Sequence, residues 1–219
     1  MRPSSPLPSP RASVRRAVGA LALIAFSAAL ASCSFSRPAP VKHMVLLEAA
    51  APPVASVAKL DTLRIGVVTV AAPFRGRTLV YRKDDVTYES DFYSEFFVAP
   101  AAMLAEATAK ALAAAGGFRR VIPPGAAPDD AGYVLDAFVP ELYGDNREAG
   151  KPAAVLAATF YLSSATSPTP RVLWSRDYAR RVPAGDGSPE ALARAWNEAL
   201  AAMLADLARD LAAAQLPKP

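Results

Sequence analysis

Apolar residues recur along the last part of the chain with a helical period. Leu192, Trp196, Leu200, Met203, Leu207 and Leu211 are spaced by four, four, three, four and four residues, which makes one stripe on an amphipathic helix. Ser188 is placed to cap it, Pro189 suits the first helical position, and Glu190 complements the positive end of the helix dipole. The polar face carries Arg194, Glu198, Asp206, Arg209 and Asp210, a mixed set that favours packing on a sheet over lying on a membrane. A second helix is predicted from Pro100 through AAMLAEATAKALAAAGG. Met103, Leu104, Ala107, Ala111 and Leu112 share a face there, and Gly116-Gly117 supplies the stop.

Elsewhere the pattern is that of strands. HMVLLEA (43–49) reads as a short first strand and APPVASVAK (51–59) as a loop. TLRIGVVTVAAP (62–73) is an unbroken β-branched run, the mark of a strand buried on both faces. RTLVYRKDDVTYES (77–90) is a hairpin turning at Lys83, Asp84 and Asp85. FRRVIPP (118–124), AGYVLDAFVPELYGD (131–145), AAVLAATFYLSS (153–164) and the alternating RVLWSRDYARRVPA (171–184) complete the set. The fold class expected is α+β: a mixed, mainly antiparallel sheet with two principal helices packed on it.

One apolar run is different in kind. Ala17 to Leu30 follows Arg11, Arg15 and Arg16, and it falls short of the roughly 20 residues a bilayer-spanning helix needs. A basic segment, a short apolar segment and small residues before a cut site read as a secretory signal. Leu30, Ala31 and Ser32 lead directly into Cys33, the only cysteine of the chain. This resembles the bacterial lipobox, with Leu30, Ala31 and Ser32 as the signal-peptidase recognition residues and Cys33 as the lipid attachment site. A buried core cysteine would need charge order, length and small-residue pattern all to coincide. A nucleophile or metal site lacks company, because His43 is the only histidine. Each buried methylene contributes about 0.8 kcal/mol, so two or three acyl chains hold a domain on a membrane stably. Ser34, rather than Asp, follows the cysteine, which resembles the signal for the outer membrane. The organisation expected is a signal peptide over 1–32, a lipidated tether over 33–40, one domain over 41–214 and a tail over 215–219.

Cleavage changes the charge picture. The first 32 residues hold four arginines and no acid, so the 24 basic residues of the full chain fall to 20 and balance its 20 acids. A domain without net charge has no electrostatic footprint for nucleic acid. The doublets Arg119-Arg120 and Arg180-Arg181 read as solvated strand ends.

The chemical inventory is thin. His43 has no partner at ligand spacing, and Asp84-Asp85 and Asp129-Asp130 sit beside turn signals, where aspartate serves the backbone. Gly116-Gly117 and AGDGS (184–188) are helix punctuation and loop, and no phosphate-binding motif is present. No catalytic residue, metal site or cofactor is expected beyond the covalent diacylglycerol and acyl modification at Cys33. The best candidate for partner contact is DFYSEFF, with Phe92, Tyr93, Phe96 and Phe97. Aromatics anchor interfaces but build cores at least as often. ELYGD (141–145) reads as a turn or a docking edge, with the turn favoured.

Several strings together are similar to one family. IGVVTVAAP, RTLVYRKDDVTYESDFYSEFFVAPAAMLAEAT, GGFRRVIPPG and LYGD followed by AVLAATFYL, in this order and behind the lipobox, resemble the ABC-type transport auxiliary lipoproteins. These are relatives of the lipoprotein of the paraquat-inducible transport system. The resemblance covers residues 41–214, and it is one of fold and pattern, without a catalytic motif. Many relatives carry a tryptophan in the segment where this chain has Phe92, Tyr93, Phe96 and Phe97. It implies a non-catalytic, lipid-anchored protein at the outer membrane, facing the periplasm. It would dock an MCE-domain protein and so serve an ABC permease and ATPase in moving lipid or another apolar solute; a homo-oligomer is left open. A lipid-binding periplasmic module and a structural or assembly lipoprotein are the alternative readings.

Overall fold

The computed structural model describes residues 42–50, 60–126, 131–166 and 171–217. Cys33, Leu30, Ala31 and Ser32, the loop expected at 51–59 and the pair Asp129-Asp130 lie outside them. Among the described residues, eight strands and two long helices follow in chain order: β1 (His43–Val45), β2 (Leu63–Val70), β3 (Thr78–Arg82), β4 (Tyr88–Phe96), α1 (Pro100–Ala115), β5 (Val121–Ile122), β6 (Tyr133–Asp145), β7 (Ala153–Ser164), β8 (Val172–Pro183) and α2 (Pro189–Ala213). A 3-10 turn, Ala72–Phe74, joins β2 to the loop before β3. The fold is α+β, as expected.

The thirteen-residue β6 is the axis of the sheet. Along one side it pairs antiparallel with β7 over its length, and β7 pairs antiparallel with β8. Along the other side its first half runs parallel to β2 and its last two residues run parallel to β3. β5 extends β2 in parallel, β4 pairs antiparallel with β3, and β1 pairs in parallel with β4. The two longest ladders, β6 with β7 and β7 with β8, are antiparallel, and the sheet is mixed. β1 and β8 stand at opposite edges of the sheet.

Both helices begin, and α1 ends, as their sequences require. In α2 the Ser188 hydroxyl oxygen accepts a hydrogen bond from the Ala191 amide at 3.2 Å, and Pro189 opens the first turn. In α1 Pro100 starts the helix, and Gly116 closes it at φ 73°, a left-handed backbone that glycine adopts without a β-carbon clash. All six stripe residues of α2 are buried, as are the five predicted for α1. Full burial of each large apolar side chain stabilises the fold by about 1.5–3 kcal/mol. Trp196 also donates its indole N–H to the Val155 carbonyl at 3.1 Å, fixing α2 over β7.

Polar pairs fasten α2 to the edge strand. Tyr178 donates to Asp210 at 2.7 Å, Arg176 pairs with the same carboxylate at 2.7 Å, and Arg180 pairs with Asp206. Arg181 turns to the opposite face, where its Nε donates to Asp145 at 3.3 Å. The Arg180-Arg181 doublet is thus a two-sided fastening and not a solvated strand end. Alternation along β8 sends the neighbours to opposite faces.

Two further expectations change. β2 is covered on one face only: Leu63 and Ile65 are buried, whereas Val67 is 69% exposed. A bulge between Ile65 and Val68 turns Val67 outward, and the Val67 amide donates to Asp136 at 2.7 Å there. Gly66 permits the close approach, since a β-carbon would collide with the Asp136 carboxylate. ELYGD is not a turn but the end of β6, with Tyr143 and Asp145 buried. Pairing to β3 and β7 on both sides holds it extended.

Candidate functional site

The aromatic string DFYSEFF lies on β4, and one carboxylate decides where its side chains go. Thr78 pairs with Glu95 and Val80 with Ser90, so two steps along β3 face five along β4. The surplus residues form a wide bulge. Asp91 Oδ1 accepts from the Tyr93 amide at 2.8 Å and the Ser94 amide at 3.1 Å, while Oδ2 accepts from the Tyr81 hydroxyl at 3.3 Å. This is the local turn chemistry that aspartate favours. Burial first, and then Asp91, push the Tyr81 hydroxyl well above the ordinary tyrosine range, so it stays a donor.

The bulge divides the four candidate contact residues. Phe92 is 80% exposed and Tyr93 47% exposed, and their rings meet edge to face at 5.2 Å. Phe96 is 2% exposed, with its ring 5.6 Å from that of Trp196. It belongs to the core and drops out of the set of surface contacts. The strand's alternation, resumed after the bulge, turns Ser94 and Phe96 inward. Phe97 faces outward at 56% exposure.

Phe97 belongs to a separate surface. The chain after β1 and the chain after β4 run side by side, with the Phe97 amide donating to the Val45 carbonyl at 2.8 Å. Leu46, Leu47 and Ala49 from one, Phe97 and Val98 from the other, and Met103 and Ala107 of α1 line an open groove of about 410 Å³. Glu48, Glu106 and Lys110 complete it, the last two paired at 2.8 Å. Met44 on β1 adds a further exposed apolar side chain. Leu46 and Met44 were not among the predicted contacts; their period-two partners Val45 and Leu47 are buried, and that alternation is the signal that could have found them.

The remaining titratable groups are structural. His43 Nδ1 lies 2.8 Å from Glu190 on the surface, where α2 begins. Asp84 accepts from the Val86 and Thr87 amides at 2.8 and 2.7 Å, and these bonds hold its carboxyl below the usual range. Asp145 is buried at the end of β6 with a bidentate bond from Arg147, at 2.9 and 2.8 Å, besides the one from Arg181. The Arg147 hydrogen bonds hold its carboxyl far below the ordinary carboxylate range. Among the described residues, no group of three or more His, Cys, Asp or Glu side chains is placed to hold a metal, and no helix is long and apolar enough to cross a membrane.

The chain belongs to the ABC-type transport auxiliary lipoprotein components, whose family model matches residues 46–208. A solved Xanthomonas campestris protein superposes at a TM-score of 0.65 with 18% identity, over 75% of this chain and 91% of that one. A second solved structure, of an uncharacterized protein, superposes at 0.62 with 16% identity, over 78% of this chain and 99% of that one. At these identities the likeness is one of fold. No curated protein matches the chain.

Proposed function

We propose that this protein is a non-catalytic member of an ABC transport system, lipid-anchored at Cys33 in the outer membrane and facing the periplasm. There it docks the end of an MCE-domain protein, which links it to the ABC permease and ATPase. The cargo is lipid or another apolar solute. Family membership supports the transport role, and Leu30, Ala31 and Ser32 before Cys33 support the anchor.

The observation that carries the docking reading is the groove around Phe97. It is open and beside an edge strand, and it sets the apolar side chains of Leu46, Phe97 and Val98 next to the charged Glu48, Glu106 and Lys110. Apolar anchors in a partner fill such grooves, and the charged margin sets register. The alternative is a module carrying lipid between the sheet and the helices. The space between sheet and helices bounded by Leu104, Thr108, Val139 and Leu200 amounts to only about 10 Å³. That is no more than one water and far below what an acyl chain fills.

The test is a crosslinked pull-down from membranes with wild type, Cys33→Ala and Phe97→Asp. Recovery of an MCE-domain protein by wild type, with strong loss in both variants, is the expected result. Recovery of outer-membrane assembly proteins instead would favour the structural lipoprotein. Recovery of no transport component would end the docking reading.

A further inference from the structure

The exposed aromatic pair on the bulge has a different role from the groove. We infer that Phe92 and Tyr93 form a membrane foot, seated in the headgroup region of the bilayer that holds the lipidated Cys33. The inference rests on the anchoring just proposed and adds a second, folded contact to it.

The register of β1 carries the argument. His43 pairs in parallel with Ser94, so β1 begins beside the bulge. Lys42 is the first described residue, and Cys33 lies nine positions before it. A fully extended chain spans at most about 3.3–3.6 Å per residue, so the acylated cysteine lies within about 30 Å of Lys42. The tether therefore leaves the domain beside the bulge. Phe92 is the most exposed aromatic among the described residues. Tyrosine, with an apolar ring and a polar tip, is a residue type of membrane interfaces.

Local charge does not oppose insertion. Asp91 is turned back onto the Tyr93 and Ser94 amides and the Tyr81 hydroxyl. Glu95 pairs with Lys42 at 3.1 Å and with Arg77 at 2.9 Å, and Glu89 lies 3.5 Å from Lys83. The bulge is already fixed, so seating it orders little further chain. The groove opens past the other end of β1, after Val45 and Phe96. A foot at the start of β1 and a partner in the groove therefore use separate surfaces.

The experiment uses the full acylated chain in vesicles of phosphatidylethanolamine and phosphatidylglycerol. An environment-sensitive fluorophore is placed at Ser90→Cys, beside the bulge, or at Val172→Cys on the opposite edge; acylation blocks the Cys33 thiol. Stronger quenching at position 90 than at 172 by lipid-borne spin labels, by several-fold, with weaker quenching by aqueous iodide, is expected. Adding Phe92→Ser and Tyr93→Ser should bring position 90 down to the level of 172 while the protein still floats with the vesicles. Equal quenching at both positions in acylated, floating protein overturns the foot and leaves the anchor standing. So does protection of position 90 that arises only when a protein partner is added. A chain whose mass shows no acyl group and which does not float overturns the anchor, and the foot with it.

Discussion

The Phe96 ring packs 5.6 Å from the Trp196 ring, joining the end of β4 to the first third of α2. Its sequence neighbours Phe92, Tyr93 and Phe97 stand in solvent. One aromatic string thus holds the core together and supplies two distinct surfaces.

Phe96→Ala should destabilise the domain by about 3–5 kcal/mol, through lost burial and the cavity left against Trp196. Phe92→Ser should stay within about 0.5 kcal/mol, because its ring touches little besides Tyr93. Urea unfolding followed by tryptophan fluorescence reads both. Equal losses would contradict the division of the string.

Gly66→Ala should cost about 1–3 kcal/mol, because the new methyl group meets the Asp136 carboxylate at the β2 bulge. Asp136→Ala should relieve part of that cost. A double-mutant cycle is the measurement, and strict additivity of the two changes would sink the explanation.

Acid should loosen the fold through Asp145. Its carboxyl is held below its unfolded value by Arg147, so the associated stability is present above about pH 4 and is lost as pH falls toward the depressed folded value. Asp145→Asn should cost about 1–3 kcal/mol at pH 7, the scale of a hydrogen bond to a charged group. The difference from wild type should shrink by pH 3. Chemical denaturation at several pH values tests this, and a gap independent of pH would refute it.

Alkali acts through Tyr81 and Tyr178. Burial is the first cause that raises both hydroxyls, followed by Asp91 in one case and Asp210 in the other. The neutral forms are favoured by the fold, so their contribution is complete below about pH 10 and declines above it as the unfolded chain ionises. Tyr178→Phe should flatten that decline and cost about 0.5–1.5 kcal/mol at neutral pH. Ultraviolet titration should show these two tyrosines ionising above the ordinary tyrosine range.

Much of the fold was legible because its signals are local. The stripe Leu192 to Leu211, the Ser188 cap and the Gly116 stop each act within a few residues of one helix, so the sequence alone determined both helices. The polar turn at Asp84 and the loop at 146–152 punctuate the strands in the same way. The string Leu30 to Cys33 is likewise read by position alone, as a linear signal, and its role stays a proposal.

What only the tertiary structure decided depends on register. The Asp91 bulge resets the alternation of β4, and that reset sends Phe96 inward while Phe92 projects. Period two predicts faces only while a ladder is unbroken. The same holds at Gly66, where a bulge leaves Val67 in solvent on a strand whose composition suggested burial on both sides. Asp145 and Arg181 lie far apart in the chain, and nothing in either neighbourhood announces the other. Their pairing follows from the way β6, β7 and β8 align, and that alignment is a property of the whole sheet.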